Sequence, residues 1–135
     1  MKASKRMRAV ITRALAKNGK SIDDPGLHLR IESGSYMPLT IERTWENLLS
    51  VCHYAKDDYG DAYQDPEVVF LIGCDGEWYP IEIQRPDPQV GQFYRRYAEI
   101  DGHKGTWSRC DLQGQADLAT FCTFWANNIA RQGFA

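Results

Sequence analysis

The stretch Val68-Val69-Phe70-Leu71-Ile72-Gly73-Cys74-Asp75-Gly76-Glu77-Trp78-Tyr79-Pro80-Ile81-Glu82-Ile83 decides the fold. Residues 68–72 form an unbroken apolar run too short for a helix, so they read as a central strand covered on both faces. Asp75-Gly76 is a strong hairpin signal, because a tight turn requires a residue that accepts positive φ. Residues 78–83 then read as the returning strand. Pro80 has no amide hydrogen to donate to a ladder, so it is expected at a bulge or facing away from a neighbour.

Upstream of this hairpin the period-two pattern continues. Leu27, Leu29 and Ile31 alternate with His28, Arg30 and Glu32, residues 39–43 alternate again, and residues 49–54 read as a third strand. Downstream, Arg85-Pro86-Asp87-Pro88 is expected to break the sheet, residues 93–100 to form one strand, and Thr106-Trp107 a short one. The ends change period. Met7, Val10, Ile11, Ala14 and Leu15 make an apolar helical stripe ended by Asn18-Gly19. Leu118, Phe121, Cys122, Trp125 and Ile129 make a second, with Asp117 as the expected cap and Gly133-Phe134 as a Schellman ending. The expectation is an α+β fold: an antiparallel sheet of five to seven strands, mostly a meander, bracketed by N- and C-terminal helices.

The 135 residues suit a single domain, 1–135. A chain this long buries roughly two-thirds of its surface on folding, enough for a core without staples. With 43% hydrophobic residues, 25% charged residues and a formal net charge of -2, there is no global bias toward nucleic acid or an anionic membrane. No run approaches the roughly 18 apolar residues of a membrane span. Cys52, Cys74, Cys110 and Cys122 lack zinc-site spacing, and the expectation is a cytoplasmic chain with reduced, mostly buried thiols and no cofactor.

Chemistry-bearing residues concentrate between Cys52 and Glu67, where Asp57, Asp58, Asp61, Asp65 and Glu67 fall near His53, Tyr54, Tyr59 and Tyr63. Such carboxylates suit a hard cation, but the spacing is not that of an EF-hand loop. The alternative is turn-building by Asp and Gly side chains. Only a bend returning His53 over Asp61, Asp65 or Glu67 would make the stretch one site. Cys52 and His53 are adjacent in a strand and point to opposite faces, so they form no nucleophile–base pair.

A second constellation pairs Asp65 with Glu82-Ile83-Gln84 on the returning strand. Metal-dependent nucleases use two carboxylates to hold the metal and a third residue to orient water. That reading makes the chain a hydrolase acting on nucleic acid, and it requires Asp65 and Glu82 to meet. The basic first helix, with Lys5, Arg6, Arg8 and Arg13, allows phosphate contacts, although a solvated face is the commoner outcome. Trp78, Tyr79 and Tyr94 sit in alternating strands near Arg85, Arg95 and Arg96. Part of this aromatic surface is expected to be exposed, as in protein–protein hot spots.

Tyr36-Met37-Pro38-Leu39, Ile41-Glu42, His53-Tyr54, Gly60-Asp61, Asp65-Pro66-Glu67, Trp78-Tyr79-Pro80, Phe121, Trp125, Asn128 and Gln132-Gly133-Phe134 occur in this order. Across residues 27–134 the chain resembles a family of small bacterial proteins that share a domain of unknown function and often lie on plasmids and integrative elements. Tyr59-Gly60-Asp61 stands where that family has Asn-Gly-Asp, which removes one turn-former and one oxygen ligand. The resemblance implies an association with mobile elements and names no activity. The combined expectation is a non-enzymatic binding or accessory protein, with a protein partner or a second copy of the chain. Its expected binding residues are His53, Tyr54, Asp61, Asp65, Glu67, Trp78 and Tyr79. The alternatives are the hydrolase built on Asp65, Glu82 and Gln84, and nucleic-acid binding through the first helix.

Overall fold

The computed structural model describes residues 1–101 and 103–135. It is α+β: helix α1 (Lys5–Lys17), six strands of one antiparallel meander, a two-stranded ribbon and helix α2 (Leu112–Arg131). The meander runs β1 (His28–Ile31), β2 (Leu39–Trp45), β3 (Leu48–Lys56), β4 (Ala62–Ile72), β5 (Trp78–Asp87) and β6 (Gly91–Arg96), in that spatial order. The ribbon is β7 (Ala98–Asp101) with β8 (Thr106–Cys110).

The central apolar run is covered on both faces, as its composition requires. Val68 and Phe70 point into the main core, with Leu39, Ile41, Leu49 and Val51 from the sheet and both helices above them. Leu71 points the other way, into a smaller core with Tyr79, Ile81 and Ala98 beneath the ribbon. Two layers therefore sandwich one end of the sheet, while its other end is covered by helices on one face only.

Pro80 sits at a bulge. Val69 pairs with Glu82 and Phe70 with Pro80, so Ile81 is the extra residue on β5. The Pro80 carbonyl accepts 3.1 Å from the Gln115 side chain of α2. Gln115 is fully buried and also bridges the backbone of Lys2, accepting from its N–H at 2.7 Å and donating to its carbonyl at 2.7 Å. One amide side chain thus ties α2, β5 and the chain ahead of α1 together.

Several boundaries differ from the sequence expectation. β4 begins at Ala62, because residues 62–64 pair with 54–56 and only 57–61 form the turn. β5 continues through Pro86 to Asp87, because residues 84–87 pair with β6 without a break, Pro86 lying opposite Gln92. The single strand expected over 93–100 is divided at Tyr97. Its N–H bonds Ile81 within the bulge (2.8 Å), and Ala98 starts a new pairing with Cys110. The cap of α2 is Asp111, which accepts from Gly114 N–H at 3.0 Å. The expected cap, Asp117, lies inside the helix and accepts from Gln113. Gly114 is required there, since a Cβ would stand 2.5 Å from the Tyr97 ring. The Schellman ending holds: Gly133 has φ 89°, and Phe134 N–H reaches Ile129 carbonyl at 3.3 Å, with the Phe134 ring buried in the core.

Candidate functional site

Beneath the C-terminal half of α2 the sheet and helix part to leave a cleft of about 350 Å³. Phe121, Trp125, Asn128 and Gln132 line it from the helix. Their spacing of four, three and four residues places them on one helical face. Tyr36 and Met37, from the link before β2, form a second wall, and His53, Asp65, Pro66 and Arg85 rise from β3, β4 and β5. His53 is the most deeply set of the polar groups, only 6% exposed.

The orientation of His53 follows from its neighbours. Its ring packs between Trp125 and Phe134, with centroids 5.7 and 5.4 Å away. Nδ1 lies 3.0 Å from the Met37 carbonyl and 3.4 Å from that of Pro38. Carbonyls only accept, so Nδ1 carries the proton and donates. Burial lowers the imidazole's pKa below its usual value, opposed in part by the two carbonyls and by the charge of Asp65. The ring is therefore neutral at pH 7, with its lone pair on Nε2. Nε2 has no hydrogen-bond partner among the described residues.

The flanking charges are also unpaired. Asp65 is half-buried and Arg85 exposed, and neither has an ion-pair partner among the described residues. The Arg85 guanidinium is held 4.5 Å over the Phe93 ring. The cleft thus offers one acceptor at depth, a half-buried carboxylate, an aromatic wall and a cation at its rim.

Of the residues expected to bind, only His53 and Asp65 meet here. Tyr54 and Glu67 lie on the opposite face of the sheet, where Ser50 Oγ donates to Glu67 at 2.6 Å. The adjacent Cys52 thiol is pushed up to about 12 by burial and then by the Glu67 charge. Asp61 stands at the exposed tip of the 57–61 turn, where Asp57 Oδ1 accepts from the N–H groups of Tyr59 and Asp61, both at 2.9 Å. The Asp57 carboxylate thus builds the turn. Trp78 is not surface: it packs on Phe70 in the main core, 3% exposed. Tyr79 belongs to the second core, and its hydroxyl donates to Asp75, which raises the phenol to about 12. Tyr94 is the exposed aromatic of that strand region.

Asp65 and Glu82 do not meet. Ile83 and Arg85 share the helix-facing side of β5, so Glu82 and Gln84 point away from it, and Glu82 pairs with Arg96 at 3.4 Å. The two carboxylates stand on opposite faces of the sheet and cannot share one cation. Among the described residues no group of three or more His, Cys, Asp or Glu side chains is placed to hold a metal ion. On α1, Lys5, Arg6, Arg8 and Arg13 are exposed, with Arg6 donating to Asn127 and Arg8 paired with Glu77. No helix among the described residues is long and apolar enough to cross a membrane.

Arg85, Tyr36, Met37, Phe121, Trp125, Asn128 and Gln132 line the cleft without having been expected as binding residues. A signal was present in α2: the apolar stripe through Phe121 and Trp125 continues into Asn128 and Gln132, polar where a purely structural stripe stays apolar.

Fold and cleft together define an α+β protein with a ligand-sized recess between one helix and the covered face of an antiparallel meander. The chain belongs to the family described as a domain of unknown function (DUF6908), whose model matches residues 9–135. No curated protein and no solved structure matches the chain.

Proposed function

We propose that the chain is a non-enzymatic binding protein that acts through protein–protein contacts, and that its partner, a second protein or another copy of the chain, engages the cleft beneath α2. The supporting observation is the convergence of His53, Asp65 and the α2 side chains on one recess with unsatisfied polar groups. Recognition sites have this composition: mostly apolar and aromatic walls with a few placed polar groups that fix orientation. Exposed aromatic side chains extend the surface outward, with Tyr36 at 51% and Phe124 at 70% exposure. Such residues are enriched where protein partners dock.

The test compares the two sides of the sheet. A photoreactive residue replaces Tyr36 beside the cleft or Tyr94 on the uncovered face, which are similarly exposed at 51% and 56%. Irradiation in the native host is expected to give a discrete adduct from position 36, of either a partner or two copies of the chain. An adduct from position 94 alone, or from neither, overturns the proposal.

A further inference from the structure

We infer that the cleft accepts an arginine side chain of the partner, flanked by an acidic residue: a deepening that rests on the binding function proposed above. Three features of the recess carry it.

The first is its acceptors without a protein partner among the described residues. His53 Nε2 presents a lone pair from a ring that is more than nine-tenths buried and held in one tautomer by the Met37 carbonyl. Asp65 adds a carboxylate with no ion-pair partner among the described residues. A ligand that satisfies both must bring several N–H donors, because a buried acceptor left unmet weakens binding. Guanidinium has five donors in a rigid plane, matches a carboxylate with two parallel bonds and keeps others for a second acceptor.

The second is the shape and chemistry of the wall. Phe121 and Trp125 stack with an interplanar angle of 26° and centroids 6.1 Å apart; Trp125 is only 5% exposed, so Phe121, at 36%, supplies the accessible aromatic surface. Planar guanidinium lies on such a surface with both stacking and cation–π attraction, which the rounder, more strongly hydrated ammonium of lysine realises less well. A carboxylate ligand would meet Asp65 and the His53 lone pair, both repulsive to it.

The third is Arg85. Its exposed guanidinium, steadied over Phe93, is a like charge for an incoming arginine. Its position at the rim suits a carboxylate next to that arginine, so the arrangement selects an Arg–acid pair and disfavours polybasic segments.

The probe is the blocked dipeptide acetyl-Arg-Asp-amide, titrated into the intact chain while the His53 and Trp125 side-chain resonances are followed by NMR. Both sets of resonances are expected to shift together and saturably. Replacing arginine by citrulline, which keeps the shape and loses the charge, is expected to weaken binding at least about tenfold, as removal of one partner from a desolvated charge pair does. Asp65→Asn has the same effect, Glu82→Gln on the other face none, and Arg85→Gln removes the preference for aspartate over alanine after the arginine. Equal binding of the citrulline peptide to the wild-type chain, or shifts confined to the Tyr94 and Glu82 face, overturns the inference. If Tyr36 gives its specific adduct while the dipeptide leaves His53 and Trp125 unmoved, the arginine inference fails and the binding function stands.

Discussion

Replacing Gln115 by leucine keeps the side chain's approximate volume and removes three hydrogen bonds, those to Lys2 N–H, Lys2 carbonyl and Pro80 carbonyl at 2.7, 2.7 and 3.1 Å. The bond to Pro80 contributes about 1 kcal/mol net and the two to Lys2 about 0.5 kcal/mol each. The Lys2 groups belong to an exposed residue and recover water. The Pro80 carbonyl is buried, so losing its partner adds a penalty of about 1–3 kcal/mol. Leucine returns about 1 kcal/mol through its apolar atoms. The expected loss is about 2–4 kcal/mol. For a chain of this length that lowers the melting temperature by roughly 6–15 °C. In urea the midpoint falls by about 1–2 M with an unchanged slope. Gln113→Ala is the control: among the described residues its side chain bonds Asp117 alone, at an exposed site and 3.0 Å, and a change within about 0.5 kcal/mol is expected. A Gln115→Leu loss as small as the control's refutes the reasoning that this amide joins the terminus, α2 and the bulge of β5.

His53 makes stability depend on pH. Its folded pKa lies below the unfolded value of 6.5, so the unfolded chain binds more protons in the window between the two. Stability is full above pH 6.5 and declines as pH falls toward the folded pKa, by up to about 1.4 kcal/mol per pH unit; urea titrations at several pH values are expected to show this component vanish in His53→Gln. The thiols should separate by reactivity toward a disulfide reagent at pH 8. Cys74 is exposed and reacts first, while Cys52, pushed up to about 12, and Cys122, raised by burial alone, react only on unfolding. Asp111→Ala removes the side-chain cap of α2 and is expected to cost about 1 kcal/mol by urea titration, whereas Asp117→Ala costs a few tenths.

The meander was legible in the sequence because its signals are local. Alternation in residues 27–31 and 39–43, the apolar run at 68–72 and the Asp75-Gly76 turn each report a strand or turn without knowledge of neighbours. The break at Tyr97 was not legible, because residues 93–100 alternate throughout. The division comes from the Ile81 bulge two strands' length away in sequence, whose carbonyl takes the Tyr97 N–H. The cap of α2 was misplaced for a similar reason: Asp111 and Asp117 both suit the role, and Tyr97 packing on Gly114 places the first turn near Asp111.

The candidate site divides in the same way. Strand parity alone separates Cys52 from His53, but it would put Asp65 and Glu67 on one face; they part because the β3–β4 register shifts between Cys52 and Tyr54, where residues 65 and 66 together stand opposite His53. Parity also separates Glu82 from Arg85, although this needs the register of β4 against β5 to become an argument against a shared cation. Part of the Trp78-Tyr79 aromatic surface was expected to be exposed because neighbouring strand residues point to opposite faces. In this fold both faces are covered at that point, one by Phe70 and the helices, the other by the ribbon. Arg85 was unreadable, since its place beside Asp65 depends on β5 running through two prolines.

The central claim is that the cleft floor presents a neutral imidazole whose Nε2 is an acceptor awaiting a donor. Nitrogen-15 NMR of His53 in the free chain measures this directly. The account expects a proton on Nδ1, none on Nε2 at pH 7, and a titration midpoint below 6.5. A proton on Nε2, or a midpoint at or above 6.5, would contradict it.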